Sequence, residues 1–167
     1  MDYTEIELYG KTLRYFSEHH IEFEFQNVKD NWKKMVIENT NYGYKRISFR
    51  SNGKQNQIQL HRLTFFIHNP SWNIYDGSID NSIDHIDGDK LNNNIENLRC
   101  VTHQENQWNQ TKAKGYTWHK QKKKWQAQIK VDGKKIYLGL FDIEENARSA
   151  YLEGKIKYHR IEAKVFE

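Results

Sequence analysis

The sequence predicts an α+β protein built from small antiparallel sheets and short helices. Three observations indicate this class. Runs such as Tyr44 to Arg50 and Trp125 to Val131 alternate apolar and polar residues, as half-buried strands do. Asn52-Gly53 and Asp132-Gly133 favour two-residue hairpin turns, and each lies between two such runs. Short stretches, such as His61 to Ile67, carry apolar residues at helical spacing.

The composition is typical of a folded but very polar protein. The 167 residues are enough for one or two small domains, and the mean hydropathy is -1.00. The 5 Trp, 10 Tyr and 8 Phe argue against disorder and for cores made of aromatic rings. The single cysteine, Cys100, excludes an intrachain disulfide and a cysteine-rich zinc knuckle, so we expect it to serve packing. There is neither an apolar run of about 18 residues nor a signal-peptide pattern, so we predict no membrane span.

Charge is distributed unevenly along the chain and suggests three regions. Residues 1–40 hold 5 Lys or Arg against 8 Asp or Glu, residues 41–111 hold 7 of each, and residues 112–167 hold 14 against 7. A basic segment of this kind favours polyanions such as nucleic acid. We therefore predict an N-terminal scaffold region (1–40), a central domain (41–111) and a basic C-terminal domain (112–167).

The acidic N-terminal region predicts a hairpin and a further strand. Glu5 to Leu8 and Thr12 to Phe16 flank Tyr9-Gly10, and Ile21 to Phe25 alternates in the same way. No motif here carries recognisable chemistry, and the acidity makes this region a poor surface for DNA.

The central region predicts a hairpin and a helix. The alternating run that begins at Tyr44 pairs with Gln57 to Leu60, and the helical run after it ends before Pro70. Two residues of this helix, His61 and Arg62, have more than one interpretation. In the first, His61 is a structural histidine and Arg62 a surface arginine. In the second, Arg62 contacts a phosphate.

The stretch Ser82 to Asn109 predicts a finger of strand, long polar loop, strand and helix. Asp84-His85 lies on the first strand, and Leu98 to Val101 forms the second. Thr102-His103-Gln104-Glu105 matches a capping box, in which the Thr hydroxyl and the Glu carboxylate satisfy free amides at a helix start. Asn106 then lies on the first turn of the helix.

These residue types suit the hydrolysis of a phosphodiester. A hard divalent cation prefers oxygen ligands, which Asp84 and Asn106 offer. An imidazole can take a proton from water near neutral pH, so His85 is the candidate general base. The alternative is an ordinary strand with a hydrogen-bonded histidine. Asp87 most simply belongs to a turn, and contact with a metal is its second interpretation.

The motif resembles the HNH (His-Me finger, ββα-metal) nucleases, most closely the small phage-type homing endonucleases. The resemblance rests on Asp84-His85, Asn97-Leu98-Arg99 and Asn106, and covers roughly residues 41 to 109. It implies that His85 is the general base, that Asp84 and Asn106 bind Mg²⁺ or Mn²⁺, and that Asn97 braces the loop and so orients the histidine. The implied fold is a ββα-metal HNH finger with a preceding β-hairpin and helix.

The basic C-terminal domain predicts a small three-stranded antiparallel sheet packed on one helix. The strands are Tyr116 to His119, Trp125 to Val131 and Ile136 to Phe141, and we expect Asp142 to cap the helix with Glu145. The residues expected to face the core are Trp125, Ala127, Ile129 and Leu138 from the sheet and Ile143, Ala147, Ala150 and Tyr151 from the helix.

The opposite face of this sheet is predicted to contact DNA, because strands fit the major groove and Gln and Lys can contact base edges and phosphates. A solvated basic face is the alternative. Residues 113 to 158 resemble the APETALA-type (ethylene-response-factor) DNA-binding domain in the Trp125 to Ile129 and Tyr137 to Phe141 runs, although lysine and glutamine replace the arginines of the plant domains. With Arg62 of the central domain, the predicted DNA contacts are Thr117, His119, Gln128, Lys130, Lys135 and Tyr137.

These observations together predict a sequence-specific, homing-type DNA endonuclease with one divalent metal and a histidine base, which nicks or cuts double-stranded DNA. We expect a monomer or dimer on DNA, no membrane partner and no small-molecule cofactor. We also expect an intracellular protein of phage or viral origin that acts in the host cell. The alternative is a non-catalytic DNA-binding protein or regulator with an inactive finger. An RNA-binding protein is a weaker alternative, because the sequence shows no single-strand stacking motif.

Overall fold

The computed structural model describes residues 2–17, 19–24, 31–110 and 114–166. Internal contacts divide the chain into two units, Met1–Cys100 with Ala163–Glu167, and Val101–Glu162. The predicted α+β class with small antiparallel sheets is confirmed. Within the described part of the chain, no helix has the length and apolar character needed to cross a membrane.

The first unit begins with a four-stranded antiparallel sheet in the order β1-β2-β3-β4. Its strands are Thr4–Leu8 (β1), Lys11–Ser17 (β2), His20–Glu24 (β3) and Trp32–Lys34 (β4). The predicted hairpin is confirmed, and Tyr9 and Gly10 make its turn with φ of 53° and 70°. The predicted third strand is also present, although Phe25, its last predicted residue, lies outside the described residues.

A three-stranded sheet and a helix follow. The strands are Ile37–Asn39 (β5), Lys45–Ser51 (β6) and Lys54–Gln59 (β7), and the helix is Leu60–His68 (α1). The predicted hairpin is confirmed, and Asn52 and Gly53 take positive φ in its turn. As predicted, α1 ends before Pro70, since Asn69 is its C-cap residue.

The predicted element order of the finger is confirmed. Ser82–His85 (β8) and Leu98–Val101 (β9) form a two-stranded sheet, joined by a loop that ends in a 3-10 turn over Ile95–Asn97, and His103–Trp108 (α2) follows. The capping box is present as well. Thr102 Oγ1 accepts a hydrogen bond from the Glu105 amide at 3.3 Å, and a Glu105 carboxylate oxygen accepts one from the Thr102 amide at 2.8 Å.

One hydrophobic core joins the elements of the first unit. It includes Leu13 of β2, Ile47 of β6, Leu63 of α1 and Ile83 of β8, all of them buried. Each aliphatic side chain of this kind stabilises the fold by about 1.5–3 kcal/mol. Cys100 belongs to the same core, in agreement with its expected packing role. The strand that carries Asp84-His85 is therefore anchored to the core through Ile83, and its partner strand through Leu98 and Cys100.

The second unit contains the predicted three-stranded antiparallel sheet and its helix. The strands are Tyr116–His119 (β10), Lys124–Val131 (β11) and Lys134–Phe141 (β12), in that order, and the helix is Glu144–Tyr158 (α3). Ala127 and Ile129 of the sheet are buried, as are Ala147 and Tyr151 of the helix. A bulge in β12 between Tyr137 and Gly139 turns Leu138 towards α3, where its side chain lies against Gly154.

The prediction for the start of α3 is wrong. Ile143 is the N-cap residue and no side chain caps the helix, while the Asp142 carboxylate lies 3.1 Å from Lys124 Nζ. Ile143 is 60% exposed, so it does not belong to the buried helix face. An ion pair with the neighbouring strand therefore replaces the expected cap.

The contacts also divide the chain differently from the predicted boundaries at residues 40 and 111. Residues on both sides of position 40 contribute to one core. Helix α2 falls in the second unit, where the Trp108 ring stacks on His159 at 4.5 Å and Gln104 Nε2 donates to Asp132 at 3.2 Å. The boundary by contacts thus precedes α2, and the predicted domain boundaries stay predictions.

Candidate functional site

Asp84 and His85 lie at the end of β8, and each is only 5% exposed. A buried carboxylate requires a partner. Arg99, on the neighbouring strand β9, supplies one, because its Nε and one terminal nitrogen lie 2.9 and 2.8 Å from Asp84 Oδ2. Arg99 therefore fixes the orientation of the Asp84 carboxylate through contacts that converge on one of its oxygens.

The His85 ring is oriented by a second buried side chain, Asn93, which is 2% exposed. His85 Nε2 lies 3.1 Å from Asn93 Oδ1, and the Asn93 amide nitrogen donates to Leu91 O at 3.3 Å. The second bond sets the orientation of the amide group, so an oxygen faces the histidine. Because that oxygen can only accept, this contact favours the tautomer of the neutral ring that carries its hydrogen on Nε2 and its lone pair on Nδ1.

The loop after His85 is organised by Asn97 and Asp87. The Asn97 amide accepts from Asp87 N at 3.0 Å and donates to Asp87 Oδ1 and Asn92 O, both at 2.9 Å. The Asp87 carboxylate also accepts from the Asn92 side chain and the Asp89 amide, and these hydrogen bonds lower its pKa. Asp87 is thus used as a structural acceptor, which favours the turn interpretation over contact with a metal.

A second buried histidine, His61 of α1, packs against His85. The two rings meet edge to face with centroids 5.0 Å apart, and the Tyr44 ring lies 5.1 Å from His61. His61 is 4% exposed, and its Nδ1 is buried with no hydrogen-bond partner among the residues that the structure describes. Burial lowers the His61 pKa to about 3, with smaller contributions from His85 and Arg62. His61 is therefore neutral at physiological pH.

The surroundings of Arg62 support its structural interpretation. Its guanidinium donates to the backbone oxygens of Asn81, Ile74 and Asp76 at 2.9–3.1 Å, and lies over the Trp72 ring. These bonds hold the loop between α1 and β8. Arg62 also lines a cleft of about 490 Å³. Its contact with DNA stays a prediction.

Asn106 lies on the first turn of α2, where its amide donates to Thr102 O at 3.0 Å. Asp84 belongs to the first unit and Asn106 to the second. Their carboxylate and amide oxygens are donors that suit Mg²⁺, which usually keeps several waters and takes one or two protein carboxylates. Among the residues that the structure describes, no group of three or more His, Cys, Asp or Glu side chains could enclose an ion. Each donor by itself suits such a cation, and joint binding of an ion by Asp84 and Asn106 stays a prediction.

The predicted DNA contacts of the C-terminal domain share one face of its sheet. Strand register pairs Gln128 with Tyr137 and Lys130 with Lys135, and directly paired residues point to the same side. We name this surface the basic sheet face, and its residues are Thr117, His119, Gln128, Lys130, Lys135 and Tyr137. The opposite side carries Ala127 and Ile129 towards α3. Contact with DNA itself stays a prediction.

The segment that contains Asp84 and His85 is similar to a known family. Residues 60–108 match the family model described as HNH endonuclease. The matched segment runs from α1 to the end of α2, and it includes Asp84, His85, Asn97 and Asn106. This confirms the HNH resemblance for that part of the chain, whereas the APETALA-type resemblance stays a prediction.

Relatives of this chain come from bacteriophages. It is 37% identical over 59 residues to "Protein 3.8" of Escherichia phage T7, an alignment that covers 31% of this chain and 49% of that protein. It is 29% identical over 75 residues to the H-N-H endonuclease F-TflI of Escherichia phage T5, covering 45% of this chain and 38% of that protein. The chain thus spans half or less of the length of these relatives.

A solved structure, described as "DNA binding and cleavage by the HNH homing endonuclease I-HmuI", is also similar to this chain. The TM-score is 0.45 and the sequence identity is 30%, over 66% of this chain and 57% of that chain.

The sequence alone does not reveal the contacts of three residues at the site. Asn93 sits between two further asparagines, and only the path of the loop decides which of them is buried. Arg99 belongs to the Asn97-Leu98-Arg99 motif, but its ion pair with Asp84 depends on the register of two strands. The sequence leaves His61 with two interpretations, and no local signal reveals its contact with His85.

Proposed function

We propose that this chain is a metal-dependent, homing-type DNA endonuclease with its catalytic centre at Asp84 and His85. The observation that carries the proposal is the buried Asp84-His85 pair, in which Asn93 holds His85 Nε2 at 3.1 Å. The HNH endonuclease match over residues 60–108 supports the same conclusion, as does the phage origin of the relatives. Phage origin and action within the host cell are part of the proposal.

The proposed mechanism assigns a role in hydrolysis to each side chain of the site. His85 takes a proton from the attacking water at Nδ1, because Asn93 keeps the hydrogen on Nε2. Asn97 keeps the loop that follows His85 in place. Asp84 and Asn106 would hold a divalent ion, Mg²⁺ or Mn²⁺. Such an ion, when bound, stabilises charge on the scissile phosphate.

Double-stranded DNA is the proposed substrate, and the basic sheet face is the proposed sequence-reading surface. Gln128 and Lys130 lie side by side along β11 with donors for base edges and phosphates. The resembled family implies products with 5′-phosphate and 3′-hydroxyl ends. One catalytic centre in the chain cuts one strand per visit, so a double-strand break requires two chains or two visits.

A supercoiled plasmid assay tests this proposal. Wild type with Mg²⁺ should convert supercoiled plasmid to open circles or linear DNA, and EDTA should stop the conversion. His85→Ala should slow the reaction by roughly 100-fold or more, as expected for loss of a general base. His20→Ala is the matched control, because His20 pairs with Glu22 in β3, outside the site. Equal rates for His85→Ala and wild type would overturn the catalytic role.

The alternative function is a DNA-binding protein or regulator with an inactive finger. One observation favours it: Arg99 occupies Asp84 Oδ2 with two nitrogen contacts, and a cation at that oxygen would have to share it. In that case the wild-type protein binds duplex DNA but leaves plasmid supercoiled at every Mg²⁺ and Mn²⁺ concentration.

A further inference from the structure

The second unit has a groove of about 480 Å³ beside the basic sheet face. One wall belongs to that face and includes Gln128, Lys130 and Lys135, while the other wall belongs to α2 and includes His103 and Gln107. We name this cavity the α2 groove. None of the sequence motifs assigns a role to its α2 wall.

The wall formed by α2 is fixed to the sheet. The Trp108 and His159 rings stack in nearly parallel planes, 5° apart, and His159 Nε2 lies 3.2 Å from Lys130 O. Gln104 Nε2 donates to Asp132 at the β11–β12 turn. These contacts tie the helix to the edge of β11, so the groove exists before any ligand binds. A preformed groove lowers the entropic cost of binding.

The charge of the lining favours an anionic ligand. Lys114, Lys130 and Lys135 line the groove, and no carboxylate does so among the described residues. The carboxylate of Asp132 at the neighbouring turn is engaged by Gln104. Gln107 is exposed on α2 with its side chain 2.7 Å from His103 Nε2, which holds both side chains at the groove.

The concave shape of the groove indicates which part of a DNA duplex it contacts, the base edges or the phosphates. Base edges are recessed in the DNA grooves and are contacted by a projecting helix or ribbon. A concave surface instead accommodates a part of the DNA that projects, which is the sugar–phosphate backbone. The lysine ammonium groups and the Gln107 amide are donors that suit phosphate oxygens.

We propose that the α2 groove binds the sugar–phosphate backbone of duplex DNA, with Lys114 and Gln107 as phosphate contacts. This inference rests on the proposed function and adds a second contact surface to the basic sheet face. It has a mechanistic consequence, because α2 also carries Asn106. The same DNA strand that Lys130 and Lys135 contact would hold the helix of the proposed metal ligand in position.

Fluorescence anisotropy with a labelled 30-base-pair duplex of mixed sequence, in EDTA and at 50–300 mM KCl, tests the inference. Lys114→Gln should weaken binding about five- to tenfold at low salt and reduce the slope of log K against log [KCl] by about 0.9, which is the value for one lost phosphate contact. Gln107→Ala removes a neutral donor, so it should weaken binding at unchanged slope. Both residues are exposed, and thermal melts verify that the variants fold.

Two further variants separate this inference from the proposed function. Lys157→Gln makes the same charge change on α3 outside the groove, and it should leave the slope unchanged. Tyr137→Ala probes the basic sheet face, because Tyr137 belongs to that face and does not line the groove. If Tyr137→Ala weakens binding while Lys114→Gln and Gln107→Ala behave like Lys157→Gln, the groove inference fails and the proposed function stands. If wild type neither binds the duplex nor cuts plasmid, the proposed function itself fails. Tighter binding of a matched RNA duplex would also overturn the assignment of DNA as the ligand.

Discussion

The neutral, buried His61 predicts a specific loss of stability in weak acid. Its pKa is lowered from 6.5 to about 3 in the folded protein, chiefly by burial. Between these two pH values the unfolded chain holds a proton on His61 that the folded chain does not. The free energy of unfolding must therefore rise with pH across this window, and the contribution of His61 is lost as the pH falls below 6.5.

The size of the effect follows from the two pKa values. Between pH 7 and pH 5, His61 alone should remove about 2 kcal/mol from the free energy of unfolding. His61→Phe is the matched variant, because phenylalanine keeps a ring against His85 and Tyr44 but cannot titrate. The measurement is urea unfolding of both proteins at pH 7 and pH 5, followed by tryptophan fluorescence, to which Trp72 in the core of the first unit contributes.

Protonation of carboxylates lowers the free energy of unfolding by the same amount in both proteins. The difference between the decrease in wild type and the decrease in His61→Phe therefore isolates the contribution of His61. We expect wild type to lose about 2 kcal/mol more than His61→Phe. Equal losses would refute the burial argument. An NMR titration provides an independent check, since the ring signal that disappears in His61→Phe should not move between pH 8 and pH 5.

Three further predictions concern the site and the second unit. Asn93→Ala should reduce plasmid nicking about 10- to 100-fold by releasing His85, with little change in DNA affinity measured by anisotropy. Arg99→Ala leaves the buried Asp84 carboxylate unpaired and should cost about 3–5 kcal/mol in urea unfolding at pH 7, whereas a cost below 1 kcal/mol would show that the pair is not structural. Gly115→Ala would place a Cβ 2.0 Å from an aromatic ring of α3, so we expect about 1–3 kcal/mol of destabilisation and weaker duplex binding.

The features that local patterns determine were predicted correctly. Asn52-Gly53 and Tyr9-Gly10 make the expected turns because their backbone takes positive φ. The capping box at Thr102 and Glu105 formed because both of its partners lie within one helical turn. Alternating patterns likewise located β6, β7 and the strands of the second unit, since the side-chain period of a strand is fixed at two residues. The strands β4 and β5 were not predicted, because three residues are too few to show alternation.

The features that depend on distant parts of the chain were missed. Asp142 pairs with Lys124 across the sheet instead of capping α3, a competition that the local sequence does not reveal. Cys100, in the second strand of the finger, forms a β-bridge with Lys164, a residue that lies far from it in sequence. The assignment of α2 to the second unit likewise rests on a long-range contact, the stack of Trp108 on His159.

The candidate site likewise contains residues that the motif predicts and residues that only the fold brings to His85. The motif predicts Asp84, His85 and Asn97 as site residues by residue type and spacing, and their catalytic roles stay predictions; the hydrogen bonds of Asn97 are those expected of a loop brace. By contrast, Asn93 and His61 contact His85 from a loop and from a helix whose positions only the folded core determines.

The most direct test of the central claim is the single-turnover rate at which His85→Ala nicks supercoiled plasmid with saturating Mg²⁺, compared with wild type. Circular dichroism and duplex affinity of the same preparations provide the control for folding and binding. The account predicts that the rate falls by roughly 100-fold or more while affinity stays within about twofold. A rate within about threefold of wild type would contradict it, because a general base cannot be removed at so small a cost.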